Sequence, residues 1–520
     1  MDRQTYTLET YKLFSESLIW QINRDYYEQL GLEAWRRGVV PHHMTSNARV
    51  GKTYAELIIG FLKDLVSQGS AEEIVYIIEL GAGHGRLGYH ILKYLDHLTE
   101  AMEIQLPPYC YILSDVVEKD LDFFKNHPQL QDYYQQGKLD YAYFDAVETD
   151  EIYLRYADKT ISKKELNQPI IAIANYFFDS IPTDAFLLQE DEIASCSIAL
   201  DCKIDPSGVD ASALIENLEL SYRNEIVKDS FYNDPILNEI LEEYKTKGLN
   251  THLFLPVTAI RCLQNLAQLS DKGLMVITMD KGFHELRHLD SRAQPEVISH
   301  GSFSLWVNYH ALESYCSKMG GRSLFPSSST FHMETACLLL LPKEEKYLNT
   351  YAAYELGVND FGPDDFNTIK KMAFANVDNL KLIDLIAVFR MSAYDSNVFF
   401  KFLNRLKELT KSITHEERER LGQVLRQIGH YYFNIGEPQD MGYALGGLFY
   451  DLGYYEDALV HLQYSENHFG PQVDTYYNRI LAYYQLRMDA EFLSTLRKAK
   501  EQFPNDSQLA VLDKLDLGAV

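Results

Sequence analysis

The stretch IIELGAGHGRLG, Ile77 to Gly88, constrains this chain more than any other part of it. The apolar run EEIVYIIEL leads into it and the helix-like YHILKYL follows. An apolar run, glycines at 81, 83 and 85 and then a helix describe a strand that ends in a tight turn, with the helix's free amide groups facing whatever sits there. Glycine is required because a side chain would block that approach. Two glycine patterns overlap. Read from Glu79 the stretch is E-x-G-x-G-x-G; read from Gly83 it is G-x-G-x-x-G, the dinucleotide fingerprint. That fingerprint needs its first glycine directly after the strand. Starting at Gly83 leaves Gly81 and Ala82 unexplained, and starting at Gly81 puts Arg86 where the third glycine belongs. The first pattern, with Glu79 at the strand's carboxyl end, fits better.

The segments YCYILSD, LDYAYFDA, PIIAIANYF and GLMVITMD continue the rhythm, each separated by helical stretches. Strands alternating with helices imply crossover connections and a mainly parallel sheet, so the expected fold is a doubly wound α/β domain over residues 73–342. Residues 1–72 read as helices broken by the loop RRGVVPHHMTSNARVGKTY, with Gly38 and Pro41 as breakers. A long insertion interrupts the domain between about 186 and 272; insertions of this length near strand ends commonly shape substrate access. A helix, a glycine turn at Gly320 and Gly321, a short strand candidate and a second strand in STFHMETACLLLLP suit an antiparallel hairpin on the sheet edge. The polar residues 343–379 read as a linker, and residues 380–520 as almost entirely helical.

Composition narrows the function. A chain of 520 residues is too long for one ordinary core. A formal net charge of -27 would repel a phosphate backbone, which argues against nucleic-acid binding. The six cysteines are scattered without a C-x-x-C pair, so buried reduced thiols are expected. His42 and His43 are adjacent and do not share a helix face, and His84 has no evident second ligand, so no metal is expected. ARVGKT has Ser46 where a phosphate loop needs glycine, which leaves Arg49 and Lys52 as a solvated face or as contacts to a cofactor carboxylate. No apolar run approaches the ~20 residues that span a bilayer, and MDRQTYTLETYKLFSES lacks the apolar core of a secretory signal. A cytoplasmic protein without a membrane partner is the expectation.

Three later strands end in groups suited to a ligand at the same edge. YILSD ends in Asp115, YAYFDA carries Asp145, and IAIANYF places Asn175 at the end of the fourth strand. An aspartate at a strand end is usually a turn or cap residue. Four such groups in order, counting Glu79, would meet outside the carboxyl ends of the strands, where open α/β sheets bind ligands.

On these residues the chain resembles the class I S-adenosylmethionine-dependent methyltransferases, with a Rossmann-like sheet. The resemblance implies that Glu79 accepts from the cofactor's methionine amino group and that Gly81, Gly83 and Gly85 admit the cofactor. It also implies that Asp115 takes the ribose hydroxyls, Asp145 the adenine amino group, and that Asn175 lies beside the reacting methyl. ELGAGHGRLG together with ANYFFDSIP looks like the MidA-like branch, which includes the mitochondrial complex I assembly arginine methyltransferase. That branch has E-L-G-P-G-R-G-x-L, A-N-E-F-x-D-A-L-P and a later strand ending in D-Y-G, aligned here with GLMVITMDKG. The likeness covers roughly residues 40 to 340. Tyr176 stands where the branch has glutamate, so the carboxylate that would hold a guanidinium acceptor bidentately is missing. Asn175 and Asp179 are the candidates to orient or deprotonate an acceptor, with Asp179 equally suited to capping a helix begun by SIPTDAF. The competing readings are an inactive methyltransferase fold that serves as a scaffold, and a dinucleotide-dependent oxidoreductase.

In the tail, two segments repeat at the ~34-residue tetratricopeptide period. Leu445, Gly446, Phe449, Gly453 and Ala458 occupy the small and aromatic positions of the first. Tyr483, Leu496, Ala499 and Pro504 follow in the second, with Arg487 in place of the turn glycine and Phe492 in place of the small alanine. Such repeats offer concave surfaces, so a protein or peptide partner is expected.

Overall fold

The computed structural model describes all residues except 1–4, 37–43, 70–71, 190–191, 229, 295–297, 301, 328–332, 344, 513–514 and 516–520. Gly38, Pro41, His42 and His43 lie outside the described residues. The chain forms two compact units, Met1–Asn367 and Thr368–Val520. The first is mixed α/β around a central sheet, and the second is helical.

The first unit opens with strand β1 (Tyr6–Leu13) and helices α1 (Leu18–Leu30) and α2 (Ala48–Ser67). Parallel strands β2 (Val75–Leu80), β3 (Tyr109–Asp115), β4 (Leu139–Tyr143) and β5 (Ile170–Asn175) follow, with helix α3 (Arg86–Met102) carrying the chain from β2 toward β3. Their near-continuous apolar runs reflect burial on both faces. Next come β6 (Asp184–Gln189), β7 (Glu192–Cys202), β8 (Leu218–Ile226) and β9 (Thr251–Leu255), which form a separate antiparallel sheet with β1. The chain then returns to the central sheet through β10 (Leu274–Phe283), β11 (Arg322–Leu324) and β12 (Met333–Leu340). The order across that sheet is β11-β12-β10-β5-β2-β3-β4, with β11 and β12 antiparallel at one edge. Chain order reverses between β2 and β5, and ligands in open α/β sheets bind at such a point. Register places Leu80 level with Ser114 on one side and Ala174 on the other, so Asp115 and Asn175 both flank the turn at Gly81.

Three local expectations differ. The amino-terminal segment begins with a strand rather than a helix, because YTLETYKL pairs with β7 nearly two hundred positions away, as in Tyr6 opposite Cys202. No helix follows Asp179: Thr183 donates to the Leu255 carbonyl and the chain enters β6, so Asp179 caps nothing there. The stretch read as a linker contains helix α4 (Leu348–Tyr354). Its first turn is held by the buried Asp64 of α2, whose carboxylate accepts from the Asn349 and Thr350 amides at 3.0 and 2.9 Å and from both side chains at 2.8 Å. Long-range capping of this kind leaves no local signature. Asp64→Ala should strand four donors and cost about 2 kcal/mol, read as a lowered urea midpoint at unchanged slope.

All six cysteines are free and buried. Among the described residues no helix is long and apolar enough to cross a membrane. In the second unit, helix Met441–Asp451 packs on Tyr455–Phe469, then come Val473–Gln485 and Asp489–Gln502. Gly446 permits the first contact, since a Cβ there would lie 2.6 Å from Leu462. Gly453, at φ +77°, and Arg487, at φ +59°, make the same left-handed turn, and in each the next amide bonds back to Phe449 or Tyr483. Arg487 accepts strain that glycine avoids.

Candidate active site

The turn after β2 is left-handed at each of its three glycines, with φ of 63°, 57° and 69° at Gly81, Gly83 and Gly85. Space is short as well: a Cβ on Gly81 would lie 2.9 Å from the Phe177 ring, and one on Gly83 would lie 2.8 Å from the Trp35 ring. Gly85 instead faces Phe124 and Leu113 and shapes the turn from beneath. Gly88, the last glycine of the alternative pattern, serves helix-on-strand packing, because a Cβ there would meet Glu79 Oε2 at 2.7 Å and the Tyr111 ring at 2.8 Å.

A cavity of about 410 Å3 opens beside this turn. Glu79, Gly81, Gly83, Asp115, Asp145, Asn175 and Asp179 all line it; Gly85 does not. Arg49 and Lys52 also stand away from it, Arg49 lying over Phe361 and Lys52 beside Glu56.

Each polar group is held by the fold. Glu79 Oε2 accepts from the Tyr111 hydroxyl at 2.9 Å, and burial pushes its carboxyl up to about 8. Asp115 accepts from the Gly83 amide at 2.8 Å and the Val117 amide at 3.1 Å, which locks the glycine turn to the end of β3. Burial raises its pKa and those amides oppose the rise. Asp145 accepts from the Val147 amide at 2.8 Å and forms an ion pair with Arg24 of α1. Asn175 Oδ1 accepts from the Tyr54 hydroxyl at 2.5 Å and its Nδ2 donates to the Thr45 carbonyl at 2.8 Å, fixing the amide's orientation.

Tyr176, also at the cavity, is left-handed at φ +48°, an uncommon conformation for an aromatic residue. Asp179 is buried with its carboxylate accepting from the Ser180 hydroxyl at 2.7 Å. Burial raises it to about 6, with Ser180 and the nearby Lys281 acting the other way. Asp280 behind it is raised further, by burial and by the charge of Asp179.

Nothing in the local sequence marks Trp20, Arg24, Tyr27 or Trp35, yet all four come from the amino-terminal segment to wall the cavity. Tyr27 donates to Ser302 at 3.0 Å and stacks near Trp35, with centroids 5.9 Å apart. Lys281 lines the same cavity.

Residues 57–295 match a methyltransferase family model. The family is described as "Putative S-adenosyl-L-methionine-dependent methyltransferase", and the match spans under half of the chain. The cofactor expected from the sequence, S-adenosyl-L-methionine, is that family's cofactor. No curated protein matches the chain. Among solved structures, an uncharacterized protein from Burkholderia thailandensis is 13% identical, with 61% of this chain and 74% of that one covered at a TM-score of 0.36. A second protein from that organism, bound to S-adenosyl-homocysteine, is 11% identical, with 66% and 90% covered at a TM-score of 0.41. The magnesium protoporphyrin IX methyltransferase of Synechocystis, with bound S-adenosyl-homocysteine, is 13% identical, with 61% and 98% covered at 0.27.

Proposed function

We propose that this chain is an S-adenosyl-L-methionine-dependent methyltransferase built on a Rossmann-like, doubly wound sheet. The observation that carries the reading is the succession of polar groups at neighbouring strand ends, Asp145, Asp115, Glu79 and Asn175, along one cavity beside a glycine turn. The residues suit the cofactor: a buried carboxyl at Glu79 awaits a cationic partner, and a Cβ on Gly81 or Gly83 would disrupt the turn beside it. Glu79 would hold the amino group, Asp115 the ribose hydroxyls and Asp145 the adenine side. The bound cofactor supplies an electrophilic methyl group on a sulfonium centre.

Asn175, with both ends of its amide tied, orients the groups around it, since an amide takes up no proton at neutral pH. Asp179, raised toward neutrality at the cavity wall, takes the acceptor's proton at its carboxylate. Orientation of the acceptor can supply about 7 to 11 kcal/mol in favourable cases.

The same reading places the chain near the MidA-like branch, treats the carboxyl-terminal helices as tetratricopeptide-like repeats that hold a protein or peptide partner, and takes the protein to work in the cytoplasm. Calorimetry with S-adenosyl-L-methionine and with NAD separates it from a dinucleotide enzyme. Binding of the first and not of the second is expected. Transfer of labelled methyl to cell-extract components then tests catalysis. Binding with no transfer to any component would leave a scaffold protein.

A further inference from the structure

The polar edge of the cavity does not end at Asn175. Met279 of β10 pairs with Asn175 at the end of β5, and Lys281 lies two residues further along β10 in the carboxyl direction. Strands in a sheet lie ~4.8 Å apart, so the strand of Lys281 stands about 10 Å from that of Glu79 and about 19 Å from β4. A cofactor reaching from Asp145 to Glu79 ends before β10, and the space over β10 falls to the methyl acceptor.

Arg24 and Lys281 are the lysine and arginine residues at this cavity among the described residues. Arg24 is neutralised by Asp145. The side chain of Lys281 forms no ion pair or hydrogen bond among the described residues, although Asp179 feels its charge. Hydroxyl groups of Ser302 and Ser304 and the apolar Ile181 and Pro182 line the same cavity. A cation whose side chain has no direct partner, in a cavity that also offers hydroxyl donors and apolar walls, matches an anionic group on a largely apolar body.

We propose that Lys281 is the anion hold of the acceptor subsite, and that the methyl acceptor carries a carboxylate. This rests on the methyltransferase reading above. Lys281 gives the subsite a positive group, which a guanidinium acceptor would not seek, beside Asp179, the acid assigned above to take the acceptor's proton.

Three probes of one shape and different charge test it: benzoate, benzamide and benzamidine, titrated calorimetrically into the full-length protein saturated with S-adenosylhomocysteine. Benzoate is expected to bind at least about tenfold more tightly than benzamidine. Lys281→Met should weaken benzoate about tenfold, Lys281→Arg should retain it, and neither should change S-adenosylhomocysteine affinity by more than about twofold. Unchanged unfolding temperatures for both variants show that the fold is intact. Benzamidine binding as tightly as benzoate, or no benzoate binding at all, overturns the proposal. It is also overturned if Lys281→Met weakens S-adenosylhomocysteine but spares 5′-methylthioadenosine, which lacks the carboxylate; Lys281 would then hold the cofactor. Failure of the wild-type protein to bind S-adenosylhomocysteine is a separate result, which removes the methyltransferase reading and this proposal with it.

Discussion

Gly83→Arg is expected to abolish cofactor binding, with a loss in S-adenosylhomocysteine affinity of at least about a hundredfold, or ~2.7 kcal/mol. Three effects act together. The residue sits at φ +57°, where a side chain costs about 1–2 kcal/mol. Its Cβ would lie 2.8 Å from the Trp35 ring, and the rest of the arginine would have to enter the cavity or displace that wall. The Gly83 amide also holds Asp115, so moving the turn moves the group assigned to the ribose. Gly85→Ala is the control. It shares the left-handed strain, but its Cβ meets Phe124 beneath the turn, so it should lower the unfolding temperature and affect binding much less. Calorimetric titration of both variants, beside their thermal unfolding, separates the two effects. Wild-type affinity in Gly83→Arg would show that the ligand does not lie on this turn.

Binding should also release protons, and Glu79 should be their source. Its carboxyl is raised by burial from 4.5 to about 8, so in the free protein at pH 7 it is mostly protonated. A cationic amino group beside it favours the ionised form. Titrations at pH 7 in buffers of different ionisation enthalpy should therefore report release of about one proton, and affinity should rise between about pH 6 and 8. Glu79→Gln should release none and should lose about 3 kcal/mol of binding, the upper range for a hydrogen bond to a charged group. The sign for stability is opposite to that of a salt-bridged acid. With the folded value above the unfolded one, the Glu79 contribution is complete below pH 4.5 and is lost as the pH rises through about 8. The stability difference between wild type and Glu79→Gln should change over that interval. A flat difference, or no proton release, would remove Glu79 from the role of amine acceptor.

Much of the sheet was legible because its strands are buried on both faces and read as apolar runs between helices. Glu79, Asp115, Asp145 and Asn175 were legible because each stands at or just beyond a strand end, a position that chain order alone identifies. The β1 strand was not, since its partner is β7, and neither was the α4 helix, whose cap is the distant Asp64. Gly85 shows the limit of a motif: its spacing matches that of its neighbours, but the turn directs it toward Phe124 rather than the cavity.

By itself the sequence determined the alternation of strand and helix, the glycine turn and the order of acids along one edge, because these depend on local periodicity and on the conformational freedom of single residues. Only the tertiary structure decided that α1 walls the cavity with Trp20, Arg24 and Tyr27, that Arg24 engages Asp145, and that Lys281 lines the same cavity. Those contacts join residues far apart in the chain, and burial and charge pairing act through distance in space, which no local pattern encodes.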